Sequence, residues 1–285
     1  MPEIFDEFHA EKHSIINEMF IATADDNYVL ARWSFHHHLN VDFFWLAVHS
    51  VEKYLKAALL MNGKSTKKYG HSITKLLEAV KPLAPELFPI TLTKPDERMP
   101  AKCWRDETME NFITRLYRDG QADNRYQIFG YIRHPEDLWK LDQVVYSIRR
   151  VCKTLEAYEL GRPQDGATNM SNREVLGKYP KRWHLDSKLE ETMSGKHGQE
   201  LLEASLICNF PFTPHDHRQS PPTYTSSAQN PVLARRLFDP LEGGSKNFAH
   251  NDVLWDWVKT NIHLPQELAK EIEEEREKIK AKSSS

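Results

Sequence analysis

The stretch FFWLAVHSVEKYLKAALLMNG, residues 43–63, decides the fold. Ala47, Val51, Tyr54/Leu55 and Ala58/Leu59 recur at helical spacing and make one apolar stripe. Asn62 and Gly63 follow as a stop signal. Upstream, Tyr28, Ala31, Phe35 and Leu39 fall at i, i+3, i+7 and i+11 and predict a second helix. Downstream, the pattern predicts a short helix from Ser72 to Val80, stopped by Pro82 and Pro85. Another covers Thr108–Arg118, ended by Asp119-Gly120. A long one starts at Pro135, with Glu136 and Asp137 supplying favourable charge in its first turn. Its apolar set is Leu138, Leu141, Val145, Ile148, Cys152 and Leu155. No alternating run of five or more residues competes as a strand. The first 160 residues therefore read as an all-α bundle. Phe43, Phe44 and Trp45 are consecutive, more than one helix face buries, so some are expected to meet a second subunit.

Of the 285 residues, 40% are hydrophobic and 11% aromatic, enough for a real core and too many for a disordered chain. Charge is nearly balanced, 38 basic residues against 41 acidic, and no large positive excess exists to grip long nucleic acid. Three scattered cysteines, Cys103, Cys152 and Cys208, fit a reducing compartment. No apolar run approaches the ~20 residues of a membrane span. The acidic start MPEIFDEFHAEKH lacks the features of a signal peptide. A soluble cytoplasmic protein is expected, with no membrane partner. Composition changes near Gly161. Residues 1–160 carry the helical runs, whereas 161–250 hold eight of the sixteen prolines and read as an irregular arm. Residues 251–285 read as C-terminal helices, with Trp255 and Trp257 docking onto something apolar and a charged last helix from Pro265 to Lys282.

On the helix 43–61, His49, Glu52, Lys53 and Lys56 lie within about a third of the circumference at ~100° per residue, opposite the apolar stripe. Glu52 and Lys56 also form an i,i+4 pair in the favourable order. The face is either simply solvated or a small polar site for phosphate or ribose.

The ordered set DNYVLARWSF (26–35), FFWLAVHSVEKYLKAALLMNG (43–63) and HSITKLLEAV (71–80) resembles the HEPN domain, the higher eukaryotes and prokaryotes nucleotide-binding domain. The matching features are Tyr28–Arg32, Ala47–Ala57, Gly63, His71 and the Arg125-Tyr126 pair. The resemblance covers about residues 20–160. It implies an up-and-down bundle of four to five helices that dimerises. It also implies nucleotide or RNA binding, with RNA cleavage in many members. By extension it implies a stress, toxin–antitoxin or phage-defence setting with a nucleotidyltransferase-type partner protein. Cleaving members carry Arg, four to six residues, then His. Here Arg125 and His134 are separated by eight residues, and Arg133 directly precedes His134. Metal-independent cleavage needs a base for the 2′-hydroxyl proton and a cation for the phosphate, roles open to His134 and to Arg125 or Arg133.

Arg32 with His37 or His38 meets the family spacing in number, but in the wrong helix, and positions five or six apart on a helix diverge by about 140° or 240°. His215 and His217, with Cys208 upstream, lack a second ligand pair at firm spacing. His71 is expected to cap the helix it opens, or else to touch ligand. No metal and no cofactor is expected. The leading function is a HEPN-type module binding nucleotide or RNA through the polar face and its neighbours, His49, Glu52, Lys53, Lys56, His71 and Tyr126, and through the Arg125–His134 loop. The alternatives are a metal-independent endoribonuclease using Arg125, Arg133 and His134, and a non-catalytic interaction protein.

Overall fold

The computed structural model describes residues 10–95, 99–157, 170–213, 225–262 and 264–283. They are mostly helical. Two compact units result, one from Met1–Ala122 with Arg133–Ser227, the other from Asp123–Ile132 with Ala228–Ser285.

The first unit is organised around helix α2 (Asn40–Met61). Helices α1 (Thr23–His36), α3 (Ile73–Val80), α4 (Met109–Gly120) and α5 (Asp137–Arg150) all pack against it. Ala47, Val51, Tyr54, Leu55 and Ala58 are fully buried, as the stripe required. A helix surrounded by four others must be apolar around most of its circumference, and that accounts for Phe43 and Phe44 within this chain. Phe43 and Phe44 are buried within this chain, at 0% and 1% exposure. Phe43 meets Phe35 edge-on with ring centroids 5.0 Å apart. Burying each such ring contributes about 1.5–3 kcal/mol, so no second subunit is needed to account for them. Trp45, half-buried, leans on His49 with ring centroids 3.9 Å apart.

Helix α1 continues from a π-helical turn over Asn17–Ala22 and buries Tyr28, Ala31 and Phe35. It stops one turn before the apolar spacing does. The His37 N–H turns back to the Trp33 carbonyl, and His38 adopts φ 60°. Leu39 therefore sits at the break, exposed, rather than on the stripe. Ser72 Oγ caps α3 by accepting from the Lys75 N–H, so the capping role predicted for His71 falls to its neighbour. Thr108 Oγ1 caps α4 in the same way, 3.1 Å from the Asn111 nitrogen. At the other end of α4, a Cβ on Gly120 would lie 2.3 Å from the Phe44 carbonyl oxygen. Only glycine lets these two backbones approach so closely. Helix α5 begins two residues after Pro135 and buries Leu138, Leu141, Val145 and Ile148. Cys152 and Leu155 remain buried beyond its end.

The chain after the bundle adds three short helices to this unit, α6 (Asn172–Lys178), α7 (Lys188–Met193) and α8 (Gln199–Leu206). Ser171 and Glu174 form a reciprocal capping box that starts α6. The pair His215 and His217 lies outside the described residues.

The second unit contains α9 (Val232–Leu237), α10 (Asp239–Glu242), α11 (Phe248–Asn261) and α12 (Gln266–Ser283). Leu237, Trp255, Val258 and Ile272 form its core. Trp255 is buried as expected, whereas Trp257, about 200° further round α11, is 55% exposed. Arg276 is buried in the same unit, where its Nε donates to Asn251 Oδ1 at 3.0 Å and its Nη2 pairs with Asp252 at 2.7 Å. No helix among the described residues is long and apolar enough to cross a membrane.

Candidate functional site

The turn from Arg133 to Asp137 delivers the chain into α5. Arg133 faces inward, with its guanidinium 4.7 Å from the centre of the Phe35 ring and Nη2 donating to the Thr225 carbonyl at 3.1 Å. Its side chain is buried, so it holds the structure at Thr225 rather than meeting solvent. His134 is half-buried. Its backbone N–H donates to Asp137 Oδ2 at 2.7 Å, and the Asp137 N–H returns to the His134 carbonyl at 3.2 Å. That reciprocal pair fixes the turn. Neither ring nitrogen of His134 makes a hydrogen bond among the described residues. Burial pushes the imidazole pKa down. The Asp137 charge opposes this, the Arg105 and Arg115 charges reinforce it, and the net result favours the neutral ring.

Beneath the turn lies a buried layer of ions. Arg115 pairs with Asp137 at 2.7 Å and makes two hydrogen bonds to Glu107, from Nε at 3.1 Å and Nη2 at 2.9 Å. The fully buried Lys140 ammonium sits 2.8 Å from Glu107 and 3.5 Å from Glu136. Arg105 Nε donates to Glu136 Oε1 at 2.7 Å. Burial alone would raise the pKa of Glu107, but hydrogen bonds from Arg115 and Lys140 outweigh it and hold the carboxyl at about 2. Three carboxylates face three cations here, so the six charges balance, although Arg115 Nη1 is buried with no hydrogen-bond partner among the described residues.

The polar face of α2 is occupied by its own partners. Glu52 is mostly buried rather than solvated, and it receives Lys56 Nζ at 2.6 Å and His71 Nδ1 at 2.9 Å. Lys53 Nζ donates to Asn27 Oδ1 at 2.6 Å and to the Thr23 carbonyl at 3.3 Å. Burial lowers the Lys53 pKa, with Asp26 and Glu52 opposing. The structure thus joins Glu52, Lys56 and His71, and turns Lys53 and His49 to other neighbours. Arg125 and Tyr126 belong to the second unit, both exposed, with the guanidinium 5.8 Å from the Tyr126 ring centre.

Residues 18–158 match the family model of the HEPN domain. These residues form a HEPN domain. No curated protein and no solved structure matches it. Within the HEPN domain, the residues most visible as sequence motif turn out to be internal bolts. Arg32 is completely buried, pairs with Asp142, and donates from Nε to the Ala204 carbonyl at 2.8 Å and from Nη2 to the Ile207 carbonyl. The Tyr28 hydroxyl donates to Asp142 at 2.7 Å. A second bolt joins Arg149 to Asp25 at 3.1 Å and to Glu190 at 2.6 Å. Ala204, Ile207 and Glu190 all lie beyond the family match, so the HEPN domain is locked to the segment that follows it. The residues that sequence reading missed are Arg105, Glu107, Arg115 and Lys140. Only Glu136 and Lys140, an i,i+4 pair, left a periodic signal.

Proposed function

We propose that this HEPN protein binds nucleotide or RNA at the turn that carries His134. The observation supporting this is the half-buried imidazole, whose two nitrogens are unengaged among the described residues while the charges around it are paired with one another. The occupied face of α2 is the weaker candidate, because a ligand there would have to displace Glu52 from Lys56 and His71. Binding of a fluorescent single-stranded RNA and of labelled ATP, each to wild type and to His134→Ala, tests the reading. Loss of binding in the folded variant supports it. Unchanged binding refutes it.

The lowered pKa of His134 favours a second reading, metal-independent RNA cleavage. The neutral imidazole takes the ribose 2′-hydroxyl proton. The 2′-oxygen then attacks phosphorus, the bond to the 5′-oxygen breaks, and that oxygen takes a proton from water while the imidazolium returns its proton to the resulting hydroxide, which leaves a 2′,3′-cyclic phosphate, a 5′-hydroxyl and the neutral ring. Cleavage in EDTA that falls ~10²–10⁴-fold in His134→Ala is the expected result. The family reading also carries a homodimer and a nucleotidyltransferase-type partner in a stress, toxin–antitoxin or phage-defence setting. Light scattering at micromolar concentration tests the first, and a 33.3 kDa species alone would count against it.

A further inference from the structure

Arg105 and His134 are anchored to consecutive residues of one turn. The guanidinium is held through Glu136 Oε1 at 2.7 Å and the imidazole residue through Asp137 Oδ2 at 2.7 Å. Both carboxylates are essentially inaccessible, at 1% and 0% exposure, so the two anchor points are rigid. Of the three cations in the layer, Arg115 and Lys140 point inward, whereas the Arg105 side chain is half exposed. Its Nε is used on Glu136, and its Nη1 and Nη2 make no hydrogen bond or ion pair among the described residues. Because the layer below is neutral, the turn shows solvent a guanidinium edge beside a neutral imidazole. A guanidinium edge offers paired donors that match two phosphate oxygens, and an imidazole N–H adds a third donor.

We infer that Arg105, rather than Arg125 or Arg133, is the cation that acts with His134 on one phosphate of a single-stranded RNA. This rests on the RNA-binding reading given above and adds a residue outside the family spacing, 29 positions before the histidine. Arg133 is committed to Phe35 and Thr225, and Arg125 belongs to the other compact unit. Arg105 has no comparable commitment on its outer edge.

The experiment is fluorescence anisotropy of a labelled single-stranded RNA dodecamer on the full chain, over a series of salt concentrations. Each phosphate neutralised on a single strand contributes about 0.7 to the slope of log affinity against log salt. Arg105→Ala should weaken binding about tenfold, as expected for a charge-assisted hydrogen bond, and lower the slope by about 0.7. Arg105→Lys should restore the slope and only part of the affinity, because a lysine keeps the charge but not the fork. His134→Ala should weaken binding and leave the slope unchanged, since the ring is neutral. Arg236→Ala, an exposed cation of the second unit, serves as the control. A melting temperature for each variant separates unfolding from lost contact. Arg105→Ala with wild-type affinity and slope, or Arg125→Ala losing the slope in its place, overturns the inference while leaving RNA binding intact. Wild type that binds no RNA at 50 mM salt overturns both.

Discussion

Replacing Asp142 with alanine strikes the bolt between the bundle and the segment after it. The Asp142 and Arg32 side chains are both 0% exposed, and Asp142 also accepts the Tyr28 hydroxyl at 2.7 Å. Without the carboxylate, Arg32 keeps the carbonyls of Ala204 and Ile207 as acceptors but has no counter-charge and no route to water. Breaking a buried pair from one side costs about 3–5 kcal/mol, because the remaining ion is left uncompensated. For a unit of this size each kcal/mol moves the melting temperature by about 2–4 °C, so a fall of about 6–20 °C is expected. The assay is thermal unfolding followed by far-ultraviolet circular dichroism. The double variant Arg32→Met/Asp142→Leu removes both charges and fills their space. It should regain most of the loss, since apolar replacements of buried pairs are often neutral. Hydrogen exchange should also quicken over residues 199–209 in Asp142→Ala, because Arg32 holds that stretch by two carbonyls. An Asp142→Ala protein within 1 kcal/mol of wild type, or a cycle in which the two changes simply add, would refute the reasoning.

Gly120→Ala drives a methyl group against the Phe44 carbonyl and should cost roughly 1–3 kcal/mol in urea unfolding, unlike an alanine at the open Gly177. Glu107 has a folded pKa of about 2, below its ordinary 4.5, so its contribution is present above pH 4.5 and lost as pH falls toward 2. Stability measured across that window should decline less steeply in Glu107→Gln. Truncation at Gly161 removes Glu190, Ala204 and Ile207 from Arg149 and Arg32, so the shortened protein should lose its cooperative melt and bind a hydrophobic dye; an unchanged melt would show that the segment does not hold the bundle.

The helices were legible wherever buried residues recur at helical spacing. The spacing over Ala47–Leu59 placed α2, and the sets in α3, α4 and α5 placed their cores. It misled where tertiary surroundings changed the demand on a residue. Phe43 and Phe44 looked surplus because a single stripe was assumed, whereas α2 has neighbours on most sides. Leu39 kept the period but fell on a chain break set by His38. The pairing of Glu52 with His71 was not legible because the two lie nineteen residues apart. Arg105 could not be seen at all, since its significance depends on Glu136 and on being the exposed member of an ion layer that only folding assembles. The bolts through Arg32 and Arg149 were hidden for the same reason, because their acceptors lie 34 to 175 residues away along the chain.

The second compact unit is discontinuous along the chain. Its first ten residues, Asp123–Ile132, lie inside the HEPN match, and the rest follows only from Ala228. A ribosome adding about 5–20 residues per second therefore exposes the first piece many seconds before its complement exists. Closing so long a loop carries an entropic cost that grows only slowly with length, yet it must be met before any contact rewards it. The order of assembly follows. The bundle and its bolted segment can fold during synthesis, whereas the second unit has to wait for its later piece, and Ile128 and Phe129, buried and half-buried in the folded unit, stay uncovered meanwhile. In the newborn protein that apolar pair is open to a chaperone.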